Sequence, residues 1–119
     1  ITRQLITPLL DLLTETTNGT LHMQDPIWDS RPCYCLVIAV RGYPGTYKQG
    51  MKIGGITEAE RYAPSIKIFH AGTTREGHEL YTTGGRVLNI TGRNPEEIYD
   101  AAYAITLSCK IPTGGVFLE

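Results

Sequence analysis

Two adjacent glycines and a lone arginine, Thr83-Gly84-Gly85-Arg86, run straight into the aliphatic pair Val87-Leu88. Glycines let another group approach the backbone closely and admit positive φ. An arginine beside them offers a planar fork of donors that fits phosphate or carboxylate. The pattern therefore suits an anion held at the mouth of a strand, by the Arg86 side chain and the backbone amides of Gly84 and Gly85. It equally suits an ordinary turn whose arginine pairs with a carboxylate of a neighbouring domain. Two further segments invite the same question. Gly42-Tyr43-Pro44-Gly45 reads as a rigid turn, with proline fixing φ and Gly45 in the left-handed position, or as a direct ligand contact through Tyr43 and Gly45. His70, in Ile68-Phe69-His70-Ala71-Gly72-Thr73, leaves a strand towards a glycine. It can orient a ligand or a loop, or it can satisfy buried backbone groups. Nothing around it supports general acid–base work.

These groups need elements to hold them. Ser65 to Phe69 alternates Ile66 and Ile68 against Lys67, the mark of a half-buried strand. Arg75-Glu76-Gly77-His78 reads as a hairpin turn, Glu79 to Thr83 as the returning strand, and Arg86 to Thr91 as a further strand. The apolar run Cys33 to Val40 is expected to be a strand buried on both faces. Gly42, Pro44, Gly45, Gly50, Gly54 and Gly55 break residues 41–55 into loop or short edge structure.

Helices bracket this region. Thr7 can cap a helix with Pro8 at its first position, an apolar face at Leu9, Leu10, Leu12 and Leu13, and an end at Asn18-Gly19. Ile1, Leu5 and Ile6 would fit an earlier turn kinked at Pro8. Residues 20–32 form a connector in which Trp28 is a packing residue. Near the C-terminus Asn94 caps, Pro95 opens the helix and Glu97 completes a capping box. Ile98, Ala101, Ala102, Ile105 and Cys109 share one helical face, Lys110 complements the dipole, and Pro112 ends the helix. The sum is an α+β fold, a small and mostly antiparallel sheet under a covering C-terminal helix.

Composition narrows the function classes. The 119 residues, 41% hydrophobic, support one domain with an element left over from a neighbour. A net charge of −1 gives no electrostatic case for nucleic acid or a membrane surface. No apolar run approaches a membrane span, and the start, Ile1-Thr2-Arg3-Gln4, lacks both a signal peptide and an initiator methionine, as a cut or chosen terminus would. Cys33, Cys35 and Cys109 make an odd count that favours a reducing compartment. Cys33 and Cys35 are expected to be small buried hydrophobes, since a metal site would need more ligands than His70 could add. His22 and His78 fall in polar, exposed segments.

In order along the chain stand Arg41-Gly42-Tyr43-Pro44-Gly45-Thr46-Tyr47-Lys48-Gln49-Gly50, Ile53-Gly54-Gly55-Ile56, Ile68 to Thr73 and Thr83 to Leu88. This series resembles the C-terminal part of the phosphoribosylamine–glycine ligase (glycinamide ribonucleotide synthetase) family of ATP-grasp enzymes. That family reads GYPG-x-Y-x-x-G, I-x-G-L/F, V-F-H-A-G-T and T-N-G-G-R-V-L, and the resemblance covers about residues 1–110. It implies a ligase of purine synthesis, located in the cytoplasm, that joins glycine to 5-phosphoribosylamine while ATP is split to ADP and phosphate. Glycine is activated as an acyl phosphate, which the amine attacks.

The resemblance also implies a division of labour. Residues 1–19 would close the preceding ATP-grasp domain and 20–119 would form the C-terminal domain, packed on upstream domains of its own chain. The family's nucleotide-gripping lysines and metal-binding Glu and Asn lie upstream of Ile1. ATP and Mg2+ or Mn2+ thus belong to the full-length enzyme, and no cofactor, metal or catalytic residue is expected within this segment. Its expected share is the phosphoribosylamine site: Arg86, Gly84 and Gly85 on the 5-phosphate, then Tyr43, Gly45 and His70. The alternative is a stand-alone, non-catalytic anion-binding or scaffold module of the same fold. Two departures stand out. Thr83 replaces the usual asparagine and loses its amide donors, and Pro112 to Glu119 lacks the family's aromatic-rich strand and Arg-Asp-Ile-Gly ending.

Overall fold

The computed structural model describes residues 2–108, which form two compact units divided between Cys33 and Tyr34. The first is built around helix α1, Leu9–Asn18. Gly19 ends it at φ 73°, its amide turning back to Thr16 O, so the predicted stop signal holds. The predicted start does not. Pro8, not Thr7, occupies the cap position without a side-chain cap bond, and Thr7 Oγ1 instead accepts from Ile27 N at 2.8 Å. A turn does precede Pro8, with Leu5 N donating to Thr2 O at 3.3 Å, but it does not run into α1: Leu5 bridges Trp28, and Ile6 N donates to Ile27 O at 2.9 Å. The connector carries a short 3-10 turn, Leu21–Met23, and an Asp29–Arg31 ion pair at 2.6 Å.

The described residues of the second unit form seven strands and two helices: β1 Tyr34–Ala39, β2 Lys52–Gly54, α2 Ile56–Tyr62, β3 Lys67–His70, β4 Thr73–Glu76, β5 Glu79–Thr82, β6 Arg86–Gly92, α3 Pro95–Ala104 and β7 Thr106–Ser108. The strands make two antiparallel sheets, β1-β6-β3 and β4-β5-β2-β7, where the sequence suggested one. The class is α+β as expected. β6 is the centre of the first sheet, and its Val87, Leu88 and Ile90 are fully buried with Ile68 and, from α3, Ile98 and Ala101. Burying these side chains is the main stabilising term of the unit.

Several expectations are corrected. Among the described residues β1 is an edge strand, not one buried on both faces. Leu36 and Ile38 turn inward while Tyr34, Cys35 and Val37 stay exposed, so Cys35 is not a buried hydrophobe and Cys33 is only half-buried. β2 is interior to its sheet, although glycines surround it. Gly55 (φ 81°) starts α2, a helix the sequence pattern did not reveal. A β-carbon at Gly55 would sit 1.7 Å from Ala104 O, so this junction with the end of α3 admits only glycine. Arg75 and Glu76 belong to β4, and the tight turn is left to Gly77-His78.

α3 starts as predicted, with Asn94 Oδ1 accepting from Glu96 N at 2.9 Å and Pro95 in the first turn. Glu97 does not close a capping box; its carboxylate accepts the Ser65 hydroxyl. The helix stops at Ala104, and Ile105 leads into β7, which pairs with β2. The predicted continuation to Cys109, with Lys110 and Pro112, lies outside the described residues.

Candidate functional site

The site is assembled at the entrance to β6. Three segments meet there through backbone bonds. Val40 N donates to Gly85 O at 2.8 Å, Gly72 N to Arg86 O at 2.8 Å, and Thr83 N to Gly72 O at 2.8 Å. Such close approach requires small residues. A β-carbon on Gly72 would lie 2.7 Å from Gly84 Cα, and one on Gly85 would lie 2.1 Å from Tyr43 Cδ2. The Tyr43 ring therefore lies directly against Gly85. The Tyr43–Pro44 peptide is cis. The left-handed glycine of that turn is Gly42 (φ 96°), not Gly45 as the sequence suggested.

A cleft of about 490 Å³ opens here, lined by Tyr43, Ala71, Gly72, Gly84, Gly85, Arg86 and Asn89. Among the described residues Arg86 is its only charged lining residue, and no carboxylate pairs with it. The amides of Gly84 and Gly85 donate to no acceptor among the described residues. A cationic fork beside two N–H donors, with no carboxylate among the described lining residues, has the chemistry that an anion site requires.

A bulge aims the arginine. Leu88 pairs with Ile38 and Arg86 with Ala39, so Val87 is an extra residue on β6. Consecutive strand residues normally face opposite sides. Here Val87 and Leu88 are both fully buried. The alternation slips by one at the bulge, and Arg86 stays exposed instead of following Leu88 inward.

Four of the six residues singled out from sequence, Tyr43, Gly84, Gly85 and Arg86, thus come together. Gly45 and His70 do not line the cleft. Gly45 lies within its turn, a β-carbon there being 3.2 Å from Gly42 O, and exposed His70 places Nδ1 3.2 Å from Thr73 Oγ1. Asn89 was missed, because on a regular strand positions 86 and 89 face opposite ways. The turn also lines a second cleft of about 470 Å³ carrying Arg41 and Lys48. The hydrogen bond that Lys52 donates to Glu79 raises its pKa, and those that Arg31 donates to Asp29 raise that of Arg31, each helped by the opposite charge. Among the described residues no three of His, Cys, Asp and Glu converge as a metal-ligand set.

The family described as phosphoribosylglycinamide synthetase, C domain, matches residues 33–114. A phosphoribosylamine–glycine ligase of Vigna unguiculata is 38% identical over 118 residues, covering 93% of this chain and 38% of the relative. One of Synechocystis is 42% identical over 88 residues, covering 73% of this chain and 20% of the relative. The Arabidopsis thaliana relative, named as chloroplastic, is 38% identical over 112 residues, covering 92% of this chain and 21% of its own. The chain thus spans between 20% and 38% of the length of these relatives. The crystal structure of phosphoribosylamine–glycine ligase from Thermotoga maritima shares the fold, with a TM-score of 0.53 and 24% identity, over 82% of this chain and 25% of that one.

Proposed function

The chain belongs to the phosphoribosylglycinamide synthetase C-domain family, and we propose that it is the part of a phosphoribosylamine–glycine ligase that receives the phosphate of 5-phosphoribosylamine. The reaction joins that amine to glycine and splits ATP to ADP and phosphate, a step of purine synthesis. The observation that carries the reading is the cleft at β6, where Arg86 and the amides of Gly84 and Gly85 stand together without partners among the described residues. ATP and Mg2+ or Mn2+ are assigned to upstream parts of the longer protein, and no chemical step is routed through this chain's own residues. Their work is to bind and orient.

The same reading gives residues 1–19 to the end of the preceding domain. It is supported by α1, none of whose residues is buried and whose Leu9, Leu10 and Leu13 are exposed. The longer protein would cover that face, and the site of action would be the cytoplasm. No helix among the described residues is long and apolar enough to cross a membrane.

In the full-length ligase, Arg86→Ala is expected to raise KM for phosphoribosylamine far more than for ATP or glycine, at a cost of roughly 2–4 kcal/mol for a lost charge-paired contact. An unchanged KM for that substrate would remove the assignment. A second reading, a stand-alone anion-binding module, draws on the second unit's having its own core. An immunoblot of the native protein separates the two: a product of several hundred residues supports the ligase, and one near 13 kDa the module.

A further inference from the structure

The bulge that turns Arg86 outward has a second effect. It puts Arg86 on the same side of β6 as Asn89, and both line one cleft. Asn89 pairs across the sheet with Val37 and Phe69, which are 45% and 43% exposed, so its side belongs to the outer face of the first sheet. Asn89 is itself half-buried, and its amide is engaged by no hydrogen bond among the described residues.

An anion alone does not account for this residue. A carboxamide presents an acceptor oxygen as well as two donors. A phosphate would use only the donors, whereas donor and acceptor together match hydroxyl groups, which also give and take hydrogen bonds. Three residues at ~3.3 Å each put the two α-carbons roughly 10 Å apart along the strand. A ligand that uses both must extend beyond its phosphate. The exposed Val37 and Phe69 on either side of Asn89 offer apolar contact to the carbon face of a ring.

Resting on the anion-site reading above, we propose that Asn89 is a specificity-determining contact for a phosphorylated pentose. Arg86 and the amides of Gly84 and Gly85 hold the phosphate, and the Asn89 carboxamide holds the sugar hydroxyls. Asn89 selects the sugar; it does not anchor the charge.

The test is a titration of the isotopically labelled 119-residue chain with inorganic phosphate and, separately, ribose 5-phosphate, followed by the amide signals of Gly84 to Arg86 and the side-chain amide of Asn89. The wild type is expected to bind both, the sugar phosphate more tightly, and only the sugar phosphate should shift the Asn89 side chain. Asn89→Ala should weaken ribose 5-phosphate roughly threefold to tenfold, the worth of one net hydrogen bond, and leave inorganic phosphate unchanged. Asn89→Leu, of similar volume and compatible with its apolar neighbours, should do the same, while Arg86→Ala should lose both ligands. If both Asn89 variants keep the preference for the sugar phosphate, or weaken the two ligands equally, the Asn89 assignment falls while the anion site stands. If the wild type binds neither ligand, the anion site falls and Asn89 with it.

Discussion

At the scale of single residues, the cleft rests on glycines that cannot gain a methyl group. Gly85 carries the Tyr43 ring on its backbone, with a would-be β-carbon 2.1 Å from Tyr43 Cδ2. Gly85→Ala is therefore expected to cost about 1–3 kcal/mol as overpacking and to weaken phosphate binding. Adding Tyr43→Ala should recover most of the lost stability, a coupling that urea denaturation of the double-mutant cycle reads directly. Gly55 and Gly77 make a second contrast. Both have positive φ, but a β-carbon at Gly77 meets open space, while one at Gly55 meets Ala104 O at 1.7 Å. Gly77→Ala should cost only the ~1–2 kcal/mol of a left-handed residue. Gly55→Ala should cost more, because backbone cannot rotate away as a side chain can. Equal midpoints for the two variants would contradict this account.

At the scale of elements, α3 is held at two places of different worth. Its cap is exposed, and Asn94→Ala should cost about 1 kcal/mol. Its Ile98 is buried against the core of the first sheet, and Ile98→Ala should cost about 2–5 kcal/mol. The hairpin sheet shows what a surface ion pair adds. Lys52 on β2 meets Glu79 on β5 at 2.9 Å, with both side chains about half exposed. Glu79 raises the Lys52 pKa above its ordinary value, first by the hydrogen bond and then by charge. A raised folded-state pKa stabilises below the unfolded value, near 10.4 for lysine, and this contribution disappears as pH climbs through the folded one. The difference in melting temperature between the wild type and Lys52→Met should thus be constant around neutrality, shrink in added salt, and fall again at strongly alkaline pH.

At the scale of the whole molecule, the chain exposes more apolar side chain at its start than a free surface needs. Leu10 is 72% exposed and Met23 74%. In the 119-residue chain Leu10→Lys should change stability by less than about 0.5 kcal/mol, as surface substitutions do. If the longer protein covers this helix, the same change there should lower the melting temperature clearly, since it buries an unpaired charge. Neutrality in both settings would remove the proposed packing of residues 1–19 on a preceding domain.

Local chemistry was legible in the sequence. The stop at Gly19, the Asn94-Pro95 start of α3, the alternation of Ile66, Lys67 and Ile68, and the gathering of glycines beside Arg86 each follow from neighbours a few residues apart. The four motifs in order also carried the family resemblance. What the chain could not announce depends on partners distant in sequence. An apolar run such as Tyr34–Ala39 becomes an edge strand only because nothing among the described residues pairs beyond it in its sheet. The glycine-broken stretch around Lys52–Gly54 becomes an interior strand because β5 and β7 satisfy both of its edges. α3 gives way to β7 after Ala104, where pairing with β2 outweighs the helical spacing of Ile105. The site itself turns on such a distant partner. The extra residue at Val87 exists only relative to the register of β1, and that offset turns Arg86 outward beside Asn89 instead of into the core.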